Sequence, residues 1–121
     1  MALFEPKRTN AIDKLWGPLQ PRVHRLFAAM GDQGFDPVAF ETLRTMARQR
    51  WLYGYGRTHH RNKRPVTWTM QSKHLVGKAI DVISKKHGWG NPKFYQALHR
   101  EAKKVCLHRI AREACHLEWR G

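Results

Sequence analysis

Five residues in the second half of the chain have types that could share a metal and a proton: His74, Asp81, Glu113, His116 and Glu118. His74 and Asp81 stand seven apart in SKHLVGKAIDVI (72–83), a stretch otherwise dominated by apolar residues. A catalytic zinc takes three protein ligands from His, Asp, Glu or Cys and keeps a fourth position open. If Gly77 turns the chain, His74 and Asp81 can supply two of the three. The third has to come from the remaining histidines, and His116 stands out because Glu113 lies three before it and Glu118 two after it. A carboxylate so placed could take a proton from water and pass it to a leaving group. In CHLEW, strand alternation puts His116 and Glu118 on one face and Leu117 and Trp119 on the other, with Glu113 reaching in from the preceding turn. The same alternation predicts that Cys115 faces away.

Each residue alone has a plainer reading. A single histidine in a basic chain is usually a surface or core residue, and a buried Asp81 would be satisfied equally well by an arginine. The combination carries the signal, and charge distribution strengthens it. Net charge is +14, yet after Glu41 the only acids are Asp81, Glu101, Glu113 and Glu118, three of them close in sequence to His74 or His116. Residues 48–64 hold six Lys/Arg and no acid, and residues 85–112 hold eight with one acid. Such runs are solvated helix faces by default. They also suit an anionic partner: a wall polymer, an anionic lipid surface or nucleic acid. For the last, Trp51, Tyr53, Tyr55 and Trp68 could serve as stacking platforms, but nucleic-acid binding leaves the His/Asp/Glu set unexplained.

The elements that must position these residues fit one domain spanning 1–121. Residues 9–34 read as helical, interrupted by Gly17-Pro18, with Val23, Leu26, Phe27 and Met30 at helical spacing and Gly34 as the stop. Phe35, Val38, Phe40 and Leu43 suggest a short strand. Residues 46–58 read as a helix ending at Gly-Tyr-Gly, 59–65 as a polar loop, and 66–69 as β-prone. A loop then runs into a strand at 78–83, and residues 93–105 form a helix with Phe94, Leu98, Ala102 and Val105 on one face. Two short strands are expected near 107–110 and 115–119. The sum is an α+β domain with N-terminal helices packed on a short antiparallel sheet. Cys106 and Cys115 imply no disulfide framework, and no run approaches a membrane span. No signal-peptide pattern opens the chain, so cytoplasmic synthesis and a monomeric product are expected.

Ser72, His74, Gly77, Ala79 and Asp81 form S-x-H-x-x-G-x-A-x-D, which resembles the metal-binding signature of zinc D-alanyl-D-alanine carboxypeptidases of VanX/VanY type. Their phage endolysin relatives include L-alanyl-D-glutamate endopeptidases. Arg44, Thr45, Gln49, Leu52, Gly56, Arg57 and Thr58 resemble a second family block, and Glu113-x-x-His116 its acid-x-x-His ending. The resemblance covers about residues 38–119. It implies the hedgehog-like fold of that family, zinc held by His74, Asp81 and His116, and Glu113 as general base. It implies Arg44 as the cation that polarises the substrate carbonyl. Ser72, Glu118 and Arg57 are expected at the substrate or behind the ligands. The implied activity is cleavage of peptidoglycan stem peptides, first at L-Ala–D-Glu in a phage or prophage endolysin, and alternatively at D-Ala–D-Ala. Such an enzyme would reach the wall after holin-type release or from a virion. It would have no separate wall-binding domain, its basic surface touching anionic wall polymers or lipid instead. This chain has Thr42-Leu43 where the family often has Gly-Tyr, and Cys115 where proline often precedes the last histidine.

Overall fold

Leu19, Val23, Leu26 and Met30 recur at helical spacing, and in the structure, a computed structural model describing residues 4–120, they are the buried stripe of helix α1 (Leu19–Asp32). The helix starts later than the periodicity suggested. Pro18 occupies its N-cap, and the preceding residues form only a 3-10 turn at Ile12–Lys14. Gly34, at φ +86°, makes the left-handed exit that ends it. Strand β1 (Pro37–Glu41) follows, then α2 (Met46–Gly54), capped by the Thr45 hydroxyl accepting from the Arg48 amide at 3.2 Å. The second half contributes β2 (Ala79–Ser84), α3 (Pro92–Lys104), β3 (His108–Ile110) and β4 (Glu113–Glu118). Among the described residues, no helix is long and apolar enough to cross a membrane.

The four strands form one antiparallel sheet in the order β1-β2-β4-β3. Ile80, Val82 and Leu117 join the buried stripes of α1 and α3 in a single core cluster with Phe94, Leu98 and Ala102. Successive strand residues point to opposite faces, so Asp81, His116 and Glu118 project from the other side of the sheet. Register then decides who meets whom. Asp81 lies opposite His116 on one neighbouring strand and opposite Glu41 on the other, and directly opposed residues share a face.

Two irregularities shape that face. β1 changes register between Ala39 and Glu41. On the β3–β4 side, Arg109 opposes Leu117 but Ile110 opposes Glu113, so residues 114–116 bulge from the ladder. Two expected elements differ. The helix predicted to reach residue 58 stops at Gly54, because the amides of Arg57, Thr58 and His59 turn back onto the Gly54 carbonyl at 2.8 to 3.2 Å. Residues 66–69 form no strand. Val66 and Trp68 are exposed, Thr67 is buried, and the segment is held by Gln49 Nε2 donating to the Thr69 carbonyl at 2.6 Å.

Candidate active site

His74 sits in a one-turn 3-10 segment, Lys73–Val76, whose start is capped by the Ser72 hydroxyl accepting from the His74 amide at 3.2 Å. Gly77 ends that turn at φ +70°, and a Cβ there would lie 2.9 Å from the Trp16 backbone nitrogen. Only a residue free to be left-handed and without a side chain fits, and this turn carries the chain from His74 into β2. The His74 ring is fully buried. Its Nδ1 lies 2.7 Å from the Thr42 carbonyl, which can only accept, so Nδ1 carries the proton and Nε2 offers a lone pair. Nε2 is 3.2 Å from Asp81 Oδ1.

From the neighbouring strand, His116 brings Nδ1 to 3.3 Å from the same Asp81 oxygen, while its Nε2 lies 2.9 Å from Glu118 Oε1. The two rings are 5.1 Å apart at 75°. One donor atom each from His74, Asp81 and His116 falls within a 4.8 Å cluster, and all three residues are buried. Donors bound tetrahedrally ~2.0 Å from a zinc ion sit about 3.3 Å from one another, which matches both nitrogen–oxygen separations. Each imidazole also gives its second nitrogen to an acceptor behind it, a backbone carbonyl for His74 and a carboxylate for His116, as metal-bound histidines do. The donor set fits a zinc ion.

Charge on these groups follows from their neighbours. Burial opposes ionisation of Asp81, but the His74 and His116 imidazoles outweigh it and hold its carboxyl well below the usual range. Burial also disfavours protonated His116, yet the hydrogen bond and charge of Asp81, the hydrogen bond to Glu118 and the charge of Glu113 raise its pKa. Glu118 is opposed by burial and lowered by His116 and Arg120, whose Nε reaches Oε2 at 3.1 Å. Glu113 shifts the other way. Burial raises its pKa, His116 works against that, and the Asp81 carboxylate adds to it. An acid whose pKa is raised beside the donor cluster is suited to proton transfer. Sequence reasoning placed Glu113 in a turn; it is the first residue of β4, and the bulge after it brings it to the cleft.

Behind Asp81 lies an ion network with no clear pattern in the sequence. Glu41, 2% exposed, accepts from Arg44 Nε (3.0 Å) and Nη2 (2.9 Å), and from Arg48 Nε (2.5 Å) and Nη2 (3.3 Å). Arg44 Nη1 donates to Gln49 Oε1 at 2.7 Å, and its Nη2 stands 3.7 Å from Asp81 Oδ2. Three of the five N–H groups of Arg44 are thus committed, leaving two for any other ligand. The N-terminal segment braces this network. Glu5 and the Pro6 carbonyl accept from Arg48, and the Thr9 carbonyl accepts from the amide of Thr42, the residue that holds His74.

The site opens into a cleft of about 1140 Å³. Ser72, Arg44, Glu113 and Glu118 line it along with the donor triad. One expectation fails here and another holds only in part. Arg57 is not in the cleft wall: it donates to the Tyr53 carbonyl at 2.6 Å and stacks on the Tyr53 ring, because the chain has already turned back at Gly54. Cys115 packs against the core, as alternation predicts, but beside the 114–116 bulge it also borders the cleft, where burial and then the Asp81 and Glu113 carboxylates push its thiol pKa up. Trp51, Tyr55 and Trp68, read as stacking platforms for nucleic acid, are also cleft-wall residues. His59 is half-buried against Trp51, while His60 stacks on Tyr55 and stays exposed.

A family model for VanY, D-alanyl-D-alanine carboxypeptidase, matches residues 14–113. No curated protein matches the chain. Among solved structures, the chain is similar to VanY, a vancomycin resistance D,D-pentapeptidase from the VanB-type cassette solved in complex with Zn(II). That likeness has a TM-score of 0.74 and 15% identity and covers 100% of this chain and 82% of that one. It is also similar to the LdcB LD-carboxypeptidase (TM-score 0.68, 18% identity, 98% and 71% covered). A third likeness is to the Serratia marcescens L-Ala D-Glu endopeptidase ChiX (TM-score 0.57, 24% identity, 89% and 82% covered). At these identities the likenesses show a common fold.

Proposed function

The chain belongs to the VanY D-alanyl-D-alanine carboxypeptidase family, and from that premise we propose that it is a zinc peptidase cleaving peptidoglycan stem peptides at the His74/Asp81/His116 centre. The observation carrying this reading is the sheet register that sets Asp81 opposite His116 with both imidazoles 3.2–3.3 Å from one carboxylate oxygen. Zinc, when bound, supplies Lewis-acid activation of water and of the scissile carbonyl. Everything else falls to the chain. Glu113 takes the proton of the attacking water and returns it to the departing amine, a task its raised pKa suits. Arg44, fixed by Glu41 and Gln49, offers its two uncommitted N–H groups to the developing oxyanion. Ser72 keeps the His74 turn closed, and Glu118 holds His116 in the tautomer that leaves Nδ1 free.

For the bond cut, we favour L-Ala–D-Glu. A cleft of about 1140 Å³ has room for an extended peptide beyond a terminal dipeptide. Hydrolysis of D-Ala–D-Ala is the second reading, favoured by the description of the family model. A role as an endolysin released through a membrane lesion, with basic faces held on anionic wall polymers, belongs to the same proposal and rests on the sequence resemblance and the net charge of +14. Mass spectrometry of muropeptides digested by the zinc-loaded protein tests the reading. New N-terminal D-Glu supports endopeptidase action, and loss of a single terminal D-Ala supports the carboxypeptidase. Intact muropeptides with zinc bound refute both. Glu113→Gln is expected to retain zinc and lose turnover.

A further inference from the structure

Arg112 occupies a backbone conformation that glycine ordinarily fills. It is the third residue of the turn Ile110–Glu113, with φ +73°, the left-handed region that costs a side-chain-bearing residue. The turn brings its guanidinium to 5.6 Å from the ring of Trp68, which Arg57 approaches at the same distance. Both residues line the cleft, and Arg112 immediately precedes Glu113. A strained residue kept beside a catalytic group is a place to look for function.

The charges around the cleft narrow what that function is. Of its five acids, Glu5, Glu41, Asp81 and Glu118 each have a cationic or imidazole partner, and Glu113 alone has no ion pair among the described residues. The charges of its two buried arginines, Arg44 and Arg48, are balanced by Glu41 and Glu5. Arg112 has no ion pair among the described residues. Arg64 and Lys73 also line the cleft, and Arg8 lies over the Phe40 ring at 3.7 Å, but Arg112 is the cation that both adjoins Glu113 and is held in the left-handed region. A guanidinium over a ring keeps its N–H edge open for a planar, two-point bond to a carboxylate.

Resting on the peptidase reading above, we propose that Arg112 is a specificity residue that reads a free carboxylate on the stem peptide next to the scissile bond. The substrate class is then the acidic stem peptide, discriminated from its carboxamide form.

The test compares two synthetic stem peptides that differ only in a D-Glu or a D-isoglutamine residue, with zinc-loaded wild type, Arg112→Gly and Arg112→Lys. Wild type is expected to favour the acid by roughly tenfold in kcat/KM, expressed mainly in KM. In Arg112→Gly the acid-to-amide ratio falls towards one while the melting temperature holds or rises, since glycine suits φ +73°. Arg112→Lys, a point charge without the fork, is expected to fall between them. A wild-type ratio near one, or equal loss on both peptides in Arg112→Gly, overturns the assignment and leaves the peptidase reading standing. If wild type cleaves neither peptide, the peptidase reading itself fails, and the role of Arg112 with it.

Discussion

Replacing Glu41 by glutamine would strand two buried guanidiniums. Glu41 accepts four charge-assisted bonds, two from Arg44 and two from Arg48, with all three side chains no more than 7% exposed. Removing one partner of a buried ion pair costs about 3–5 kcal/mol. The lower end applies here, because glutamine keeps one acceptor oxygen and Arg48 retains Glu5. A loss of about 3 kcal/mol, against a total of roughly 5–15 kcal/mol, would lower the melting temperature by about 10–15 °C. The effect has a pH signature. Burial opposes the Glu41 charge, but Arg44 and Arg48 outweigh burial and hold its folded pKa below the ordinary glutamate value. A depressed carboxylate contributes in full above its unfolded pKa of about 4.3 and loses that contribution as pH falls through its folded value. Urea denaturation of metal-free wild type and Glu41→Gln should therefore show the full gap at pH 7 and a shrinking one below about pH 4. A difference under ~1 kcal/mol at pH 7, the scale of a surface pair, or a gap that does not close in acid, would refute the assignment of Glu41 as the keystone of this network. A second readout follows from geometry. Arg44, once freed, has Asp81 only 3.7 Å away, so zinc affinity should fall as well.

Three further outcomes are expected. Glu118→Ala removes the carboxylate that fixes the His116 tautomer and should weaken zinc binding by roughly 10–100-fold in chelator competition; affinity within twofold of wild type would contradict this. Gly77→Ala places a Cβ 2.9 Å from a backbone nitrogen at φ +70° and should cost about 2 kcal/mol or more by thermal melting. Cys106 is exposed whereas Cys115 is half-buried beside carboxylates, so a thiol reagent at pH 8 should label Cys106 at least about tenfold faster, as peptide mapping would show.

Much of the site was legible before any coordinates. A histidine and an aspartate inside an apolar run, and acids retained beside histidines in a segment that otherwise avoids them, mark a centre through residue type alone. The helices α1 and α3 were legible because their buried residues repeat at 3.6. The misreadings share a cause. Arg57 was assigned to the site from its block of sequence, but its position depends on where α2 stops, and three amides competing for one carbonyl decide that. Strand alternation turns Cys115 towards the core, and only the bulge beside it shows that it borders the cleft as well. Glu41 and Arg48 went unnoticed because they meet across a strand–helix junction, where no single period links them.

The amino-acid sequence by itself determined the chemistry on offer: the ligand types, the excess positive charge, the glycine that turns His74 towards β2, and the faces of the two core helices. These are properties of a residue and its near neighbours along the chain. Tertiary structure alone decided which of those groups meet. The pairing of β2 with β4 and β1 sets Asp81 between His116 and Glu41, and the 114–116 bulge brings Glu113 and Cys115 to the cleft. Register is a long-range choice, made by burying Ile80, Val82 and Leu117 on one face of the sheet. A slip of one residue would leave every ligand in the sequence and no metal centre in the fold.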